Sequence, residues 1–194
     1  MLARMSATDT ALSIALGIGL AAAVGFRVFV PLLVASIAAW SGHLHLDENF
    51  AWLGSLTAVT MLSIAALVEV LAYYIPAVDN LLDAVTTPAA LVAGTVVSAA
   101  VMVDLPPLVK WTTAVIAGGG AAGLTQGITS LLRLKSTAVT AGVGNHVVAT
   151  GELAGALGVS LLAVAAPLMA VAVVALFCFF AIRVLRRLFR RAPG

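Results

Sequence analysis

The chain has 194 residues, of which 62% are hydrophobic and 9% are charged, and its formal net charge is +2. Soluble domains average about 45–50% apolar and about 25% charged residues, so the composition excludes an ordinary soluble domain. No polar stretch is long enough for a linker or a second domain, and we expect residues 1–194 to form a single integral membrane domain.

The first apolar segment runs from about Thr10 to Trp40. It is too long for a signal-peptide core and longer than the about 20 helical residues that cross a bilayer. Pro31 lacks a backbone N–H and disfavours helix at the residue before it. We therefore predict a tilted or broken helix with Arg27 near the break; the alternative is that Arg27 extends from a helix end to the interface.

The polar stretch Ser41–Asn49 contains His43, His45, Asp47 and Glu48. These are metal-ligating residue types, but their spacing fits none of the stronger zinc patterns. The only cysteine, Cys178, lies in an apolar run and cannot form a cysteine metal cluster. We interpret the stretch as a short aqueous loop and predict neither a metal nor a cofactor.

The second predicted span runs from Phe50 to about Tyr74, and Trp40 and Trp52 flank the loop before it, as in an aromatic belt. Glu69 and Tyr73 are four residues apart, so they share a helix face. A carboxylate at membrane depth is costly and persists where it faces a bundle interior or a wet cavity.

After Pro76, the residues A-V-D-N-L-L-D-A-V predict a short helix that carries Asp79, Asn80 and Asp83. The sequence Thr86-Thr87-Pro88 predicts its end. Two interpretations remain open: an interfacial linker in water, or a half-helix that dips into the protein. The second requires protein or a watery cavity around its backbone.

The third and fourth spans are predicted at Ala89–Val103 and from about Thr112 to Leu132, separated by a turn that contains two prolines. The fourth contains Gly118–Gly123 and then Gln126. No lysine and serine or threonine follow the glycines as in a phosphate-binding loop, so they predict close helix packing. They are also a candidate contact between two copies of the chain.

The stretch from Ser136 to Glu152 is too polar for lipid and too apolar for a plain loop, and it contains Asn145 and His146. It therefore predicts a segment folded into the protein. The final apolar run, Leu153–Leu185, is too long for one straight crossing and is interrupted by Pro167.

The end of the chain is basic. Five of the ten Lys and Arg residues lie in the last twelve positions, after an apolar run. This pattern is typical of the cytoplasmic end of a transmembrane helix, and no nucleic-acid-binding module accompanies it. We predict a cytoplasmic C-terminus with a basic tail at 188–194 and no nucleic-acid partner.

The fold predicted from these elements is an all-α, polytopic transmembrane helix bundle with broken or re-entrant helices. Five crossings with the N-terminus outside and six with both ends inside both place the C-terminus inside. The stretch Ala21–Leu33 aligns with Ala121–Leu132 and places Arg27 opposite Gln126, which suggests an internal inverted repeat with halves at 10–103 and 108–187.

Three stretches resemble one known family: G-F-R-V-F-V-P-L-L, E-V-L-A-Y-Y-I-P-A-V-D-N-L-L-D, and G-L-T-Q-G followed by G-V-G-N. The family consists of small bacterial integral membrane proteins and is catalogued only as a domain of unknown function. The resemblance covers nearly the whole chain. It implies a multi-helix protein of the bacterial inner membrane, and it supplies no activity and no site residues.

The leading functional hypothesis is a non-enzymatic transporter or channel-like protein for a small solute or ion, with a polar site near the membrane midplane. Glu69 would couple gating to a proton or cation, Arg27 would be its counter-ion or bind an anion, and Asp79 and Asp83 could line a cation path. The alternatives are a membrane enzyme acting on a lipid and a non-catalytic assembly protein. The candidate site residues are Arg27, Glu69, Tyr73, Asp79, Asn80, Asp83, Gln126, Asn145, His146 and Glu152.

Overall fold

The computed structural model describes residues 7–75, 78–103, 105–140 and 142–190, without the side chains at 79–81, 83, 185 and 188–190. These residues form helices and connecting turns, with no strand among them. The helices are α1 (Ala7–Val24), α2 (Phe29–Trp40), α3 (Leu56–Ala72), α4 (Val78–Val101), α5 (Pro107–Thr140), α6 (Asn145–Ala165) and α7 (Pro167–Arg190). A 3-10 helix at Glu48–Gly54 precedes α3, and α5 contains a π-helical segment at Ala114–Gly119.

The described helices have the length and apolar composition of membrane-spanning helices. Five of them, α1, α4, α5, α6 and α7, are long and apolar enough to cross a bilayer, and the 3-10 helix with α3 forms a pair bent by 64° that counts as a sixth. Backbone polar groups in lipid must be satisfied within the segment, which helices achieve. The predicted all-α helical bundle is therefore confirmed.

Helices α1 and α2 form a re-entrant hairpin. The predicted break is present, since α1 ends at Val24 and α2 begins at Phe29. A Cβ atom at Gly17, on α1, would lie 2.7 Å from Ser98 Oγ near the end of α4. The chain after α2 returns to the same end of α4, where the Asp47 nitrogen donates a 2.8 Å hydrogen bond to the Ala100 oxygen. The hairpin therefore enters and leaves at one face.

The remaining helices cross the bundle. Helix α3 runs antiparallel to α2, because Glu69 contacts Val28 at one end and the Ser36 hydroxyl donates to the Leu53 oxygen near the other. The final apolar run is divided at Pro167 into α6 and α7, which form an antiparallel pair. Pro167 occupies the first position of α7, where its missing N–H is harmless. Helices α3 to α7 make five crossings. Together with the hairpin of α1 and α2, they place the described ends of the chain at opposite faces.

Different side chains mark the two ends of the bundle. Trp40, Trp52 and Trp111 are 57%, 59% and 46% exposed where α2 ends and α5 begins; we name this end the tryptophan face. The opposite end carries Tyr74 and His146, and the exposed Arg183, Arg186 and Arg187 of α7; we name it the arginine face. Aromatic and basic residues of this kind mark membrane interfaces.

The predicted boundaries of the third and fourth spans are wrong. Helix α4 continues from Val78 through Thr86, Thr87 and Pro88 to Val101, so these residues do not end a separate short helix. Neighbouring helices can satisfy the backbone carbonyl that Pro88 frees inside a membrane helix. Helix α5 begins at Pro107 and ends at Thr140, five residues earlier and eight later than predicted.

Glycines allow α4 and α5 to pack at backbone distance. A Cβ atom at Gly118 would lie 2.5 Å from the Ser98 side chain, and one at Gly119 2.7 Å from the Thr95 hydroxyl. A Cβ at Gly123 would lie 2.6 Å from Leu91, whereas Gly120 faces open space. Most of the Gly118–Gly123 stretch is therefore an internal packing surface rather than the predicted contact between two copies.

Candidate functional site

The carboxylate of Glu69 caps the N-terminus of α2. Its Oε1 accepts a 2.7 Å hydrogen bond from the Val28 nitrogen, and its Oε2 accepts a 3.0 Å bond from the Phe29 nitrogen. The first N–H groups of a helix have no partner within the helix, and Val28 supplies no side-chain cap. Pro31 has no N–H to satisfy in the same turn. Glu69 therefore holds the helix break in place from α3.

The Arg27 side chain lies in the break and is 2% exposed. Its Nη2 donates a 3.0 Å hydrogen bond to the Ala149 oxygen on α6 and lies 3.4 Å from Glu152 Oε2. Its guanidinium carbon lies 3.6 Å from the centroid of the Tyr73 ring, a cation–π contact. The predicted location at the break is confirmed, but the ion-pair partner among the described residues is Glu152 rather than Glu69.

A second buried guanidinium, from Arg133, belongs to the same cluster. It forms an ion pair and hydrogen bond with Glu152, and its guanidinium carbon lies 4.4 Å from the Tyr73 ring centroid. Arg133 is not among the residues predicted from the sequence, because the fourth span is predicted to end at Leu132, one residue before it. The missed signal is its spacing of two helical turns from Gln126, which places both on one face of α5.

Hydrogen bonds extend the cluster from Tyr73 to α4 and α5. The Tyr73 and Thr86 hydroxyls lie 3.2 Å apart, and Gln126 Nε2 donates to Thr86 Oγ1 at 3.2 Å and to Ser130 Oγ at 3.4 Å. Thr86 is not among the predicted site residues either, because the sequence places it at the end of a short helix. We name Arg27, Glu69, Tyr73, Thr86, Gln126, Arg133 and Glu152 the polar cluster.

Asn145 and His146 lie outside the polar cluster, at the start of α6. The Asn145 side chain is buried and donates a 2.9 Å hydrogen bond to Thr137 Oγ1. His146 is exposed, and its ring centroid lies 5.9 Å from that of Tyr74. The side chains of Asp79, Asn80 and Asp83 lie outside the described residues, so their predicted role stays a prediction.

Along two helices, the polar cluster lies about 20 Å or more from the tryptophan face. Along α6, Glu152 is about 20 Å from the end of the helix at Ala165 on the tryptophan face. Along α5, Gln126 is about 22 Å from Trp111. These distances place the cluster within the bundle, and its predicted depth near the membrane midplane stays a prediction.

Some polar atoms near the break have no partner. Arg27 Nε and Nη1 and Thr125 Oγ1 on α5 are buried and have no hydrogen-bond partner among the described residues. A Cβ atom at Gly25 would lie 2.6 Å from the Thr125 Cβ, so this threonine lies directly beside the break. Buried polar groups are normally hydrogen-bonded, and these atoms are free to bind a ligand.

The loop considered as a metal site has another role. Asp47 Oδ2 accepts a 2.6 Å hydrogen bond from Lys110 Nζ, and Asp47 Oδ1 accepts one of 2.9 Å from Asn49. Burial favours a higher pKa for Asp47, but the hydrogen bonds from Lys110 and Asn49 outweigh it and place the pKa below its usual value. Among the described residues, no group of three or more His, Cys, Asp and Glu could hold a metal ion.

These features define a polytopic α-helical membrane protein with a buried, charged cluster at the tip of a re-entrant hairpin. Residues 14–187 match the family model described as Domain of unknown function (DUF4126), and the chain belongs to this family. No curated protein and no solved structure shows a significant match. The family relationship expected from the sequence is confirmed.

Proposed function

We propose that this protein is a small transporter or channel-like protein that moves a small solute or ion across the bacterial cytoplasmic membrane. The observation that carries the proposal is the polar cluster, which places four ionisable groups inside an apolar bundle at a break between two helices. Its central residues are Arg27, Glu69, Arg133 and Glu152. The bilayer and the transported species are the proposed partners.

The energetic cost of such a cluster favours a functional role. Ionisable residues within membrane segments are rare and mark substrate and ion pathways. Broken helices in transporters place helix termini and unwound backbone at the binding site. The Gly25–Val28 break has this geometry, and its Arg27 side chain faces α6 rather than lipid.

Glu69 offers a route from protonation to movement. As a carboxylate it accepts two N–H groups of α2, and protonation of one oxygen would remove an acceptor and add a donor. The N-terminus of α2 would then lose part of its cap, and the hairpin tip could move. Glu69 therefore keeps its proposed gating role, and the hairpin is the part of the protein that would move.

The charge distribution supports the proposed orientation. The arginine face carries Arg183, Arg186 and Arg187, all exposed, and cytoplasmic ends of membrane helices are rich in Lys and Arg. We propose that this face and the C-terminus are cytoplasmic and that the tryptophan face is outside. The hairpin then enters from outside. The inverted repeat stays a prediction, since its two aligned stretches follow different paths, a hairpin and a crossing helix.

Flux through proteoliposomes tests the proposal. Purified protein would be reconstituted, and uptake of sodium, potassium, protons, chloride, nitrate and acetate would be measured against protein-free liposomes. We expect a saturable flux that falls at least about tenfold in Arg27→Lys, which keeps the charge but lacks the planar donor fork. The matched control is the double variant Asp47→Asn/Lys110→Gln, which removes an ion pair at the tryptophan face and should retain the flux.

The same assay separates the alternatives. If folded protein carries none of these species above the protein-free background, the transport proposal fails and an assembly role takes its place. Turnover of a labelled lipid extract by the same liposomes would instead support the membrane enzyme.

A further inference from the structure

We propose that the polar cluster binds a small anion, inorganic or carboxylate, and that Arg27 is the residue that binds it. This deepens the proposed function by naming the class of the transported ion, and it rests on that function only for the transport step. The binding step stands on the geometry of Arg27 and its neighbours.

Arg27 retains donors that the protein does not use. Its guanidinium has five N–H hydrogens and no acceptor. Nη2 donates a hydrogen bond to the Ala149 oxygen, whereas Nε and Nη1 are buried and have no partner in the part of the chain that the structure describes. An unmet hydrogen bond of a charged buried group is costly. An acceptor that enters from outside the protein, rather than a donor or an apolar group, would remove this cost.

Both carboxylates near Arg27 also bond to other groups. Glu69 accepts its two hydrogen bonds from the backbone of α2. Glu152 Oε2 is closer to Arg133 Nη2 than to Arg27 Nη2, from which it lies 3.4 Å. Arg27 therefore shares Glu152 with Arg133 and has the longer of the two ion pairs, and an anion would meet a guanidinium whose carboxylate partner is also engaged elsewhere.

The surroundings of Arg27 favour a small anion. The Thr125 hydroxyl beside the break is buried, without a partner, and can donate to an anion. Arg27 also lies over the Tyr73 ring and donates to the Ala149 oxygen of α6. Gly25, in the same break, packs closely against the backbone of α5. In such a low-dielectric site a charge-assisted hydrogen bond is stronger than in water. The close packing favours ions the size of chloride, nitrate or acetate over a large organic anion.

The first test is binding. Purified protein in detergent would be titrated with sodium nitrate, acetate or chloride against sodium gluconate, a bulky anion, at constant ionic strength, and Tm would be followed by tryptophan fluorescence. A ligand of the folded state raises Tm in a saturable way. We expect saturable stabilisation by at least one small anion, and none by gluconate.

Two variants connect the binding to the proposed atoms. Arg27→Lys should raise the apparent Kd for the anion by about tenfold or more, which is the loss of affinity expected when a charge-assisted hydrogen bond is removed. Thr125→Val removes a hydroxyl that has no partner among the described residues, so the variant should fold normally. Its affinity for the anion should fall by roughly three- to tenfold. If Arg27→Lys does not fold, Thr125→Val alone decides. The proposal is overturned if no small anion stabilises the wild type or if Kd is the same in every folded variant.

Flux measurements separate this proposal from the transport proposal. Saturable anion binding without flux of any tested anion, cation or proton would retain the site and reject transport. The opposite result is a flux of sodium, potassium or protons that anions do not affect, in protein that binds no anion. It would retain transport and reject the anion site.

Discussion

Glu69 Oε1 accepts a 2.7 Å hydrogen bond from the backbone nitrogen of Val28, 41 residues earlier in the chain. This bond joins the C-terminal end of α3 to the first turn of α2, and through it to the break that contains Arg27. The N-terminus of a helix in the membrane interior must find an acceptor. An acidic residue from another helix provides it, so the position of Arg27 depends on α3.

The variant Glu69→Gln tests the capping role. The amide keeps one acceptor oxygen but presents NH₂ to the second N–H, so one bond is lost and the charge is removed. We expect the protein to be destabilised by about 1–3 kcal/mol, measured as a lower Tm in detergent. Glu48→Gln, at an exposed position, is the matched control and should leave Tm unchanged. A Glu69→Gln variant as stable as wild type would contradict the capping role.

Gly25→Ala tests the packing of the break against α5. A Cβ at this position would contact the Ala122 oxygen and lie 2.6 Å from Thr125 Cβ and 2.9 Å from the Gln126 nitrogen. Because two of these atoms belong to the backbone, a helix must shift, and we expect a loss of at least about 2 kcal/mol of stability. The measurement is the fraction of folded protein after heating, by size-exclusion chromatography.

Gly127→Ala is the control for that experiment. Gly127 lies on α5, and a Cβ there would meet nothing within 4 Å. Alanine is more favourable than glycine inside a helix by up to about 1 kcal/mol, so this variant should be as stable as wild type or more stable. Equal destabilisation by both substitutions would show that glycine flexibility, rather than close packing, matters at Gly25.

The Asp47–Lys110 ion pair predicts a stability that depends on pH. Hydrogen bonds from Lys110 and Asn49, which outweigh the effect of burial, lower the pKa of Asp47 in the folded state. The pair therefore stabilises the fold above the unfolded pKa of about 3.9, and this contribution is lost as the pH falls through the folded pKa. Asp47→Asn should lower Tm at pH 7, and the difference from wild type should disappear in acid. A difference that stays constant with pH would contradict the assignment.

The path of the chain predicts which residues label from each side of the membrane. In a Cys178→Ala background, Ser41→Cys near the tryptophan face and His146→Cys at the arginine face should react with an impermeant maleimide from opposite sides. Both positions are exposed. With the proposed orientation, Ser41→Cys labels in intact cells and His146→Cys only after permeabilisation. Labelling of both from the same side would contradict the three crossings, α3, α4 and α5, that separate the two positions.

The predictions that succeeded depend on local chemistry. Pro31 and the length of the first apolar segment predicted the break and the position of Arg27, and Pro167 marks the start of α7. Both follow from the fixed backbone geometry of proline, which acts within a few residues.

The predictions that failed depend on contacts between distant helices. Thr86-Thr87-Pro88 predicts a helix end, yet α4 continues through it because packed neighbours can stabilise a helix that contains proline. Arg133 follows the predicted end of the fourth span, and the sequence does not indicate its role because its partner, Glu152, lies on another helix. Which carboxylate pairs with which guanidinium is decided by tertiary packing, and a single sequence does not encode it in a readable pattern.

All three tryptophans of the chain, Trp40, Trp52 and Trp111, lie at one end of the bundle. The intrinsic fluorescence of this protein therefore reports on one leaflet. Brominated lipid confined to the leaflet at the tryptophan face should quench the emission, and the same lipid confined to the other leaflet should not. After reconstitution, the ratio of the two signals gives the fraction of molecules inserted in each orientation, without any label.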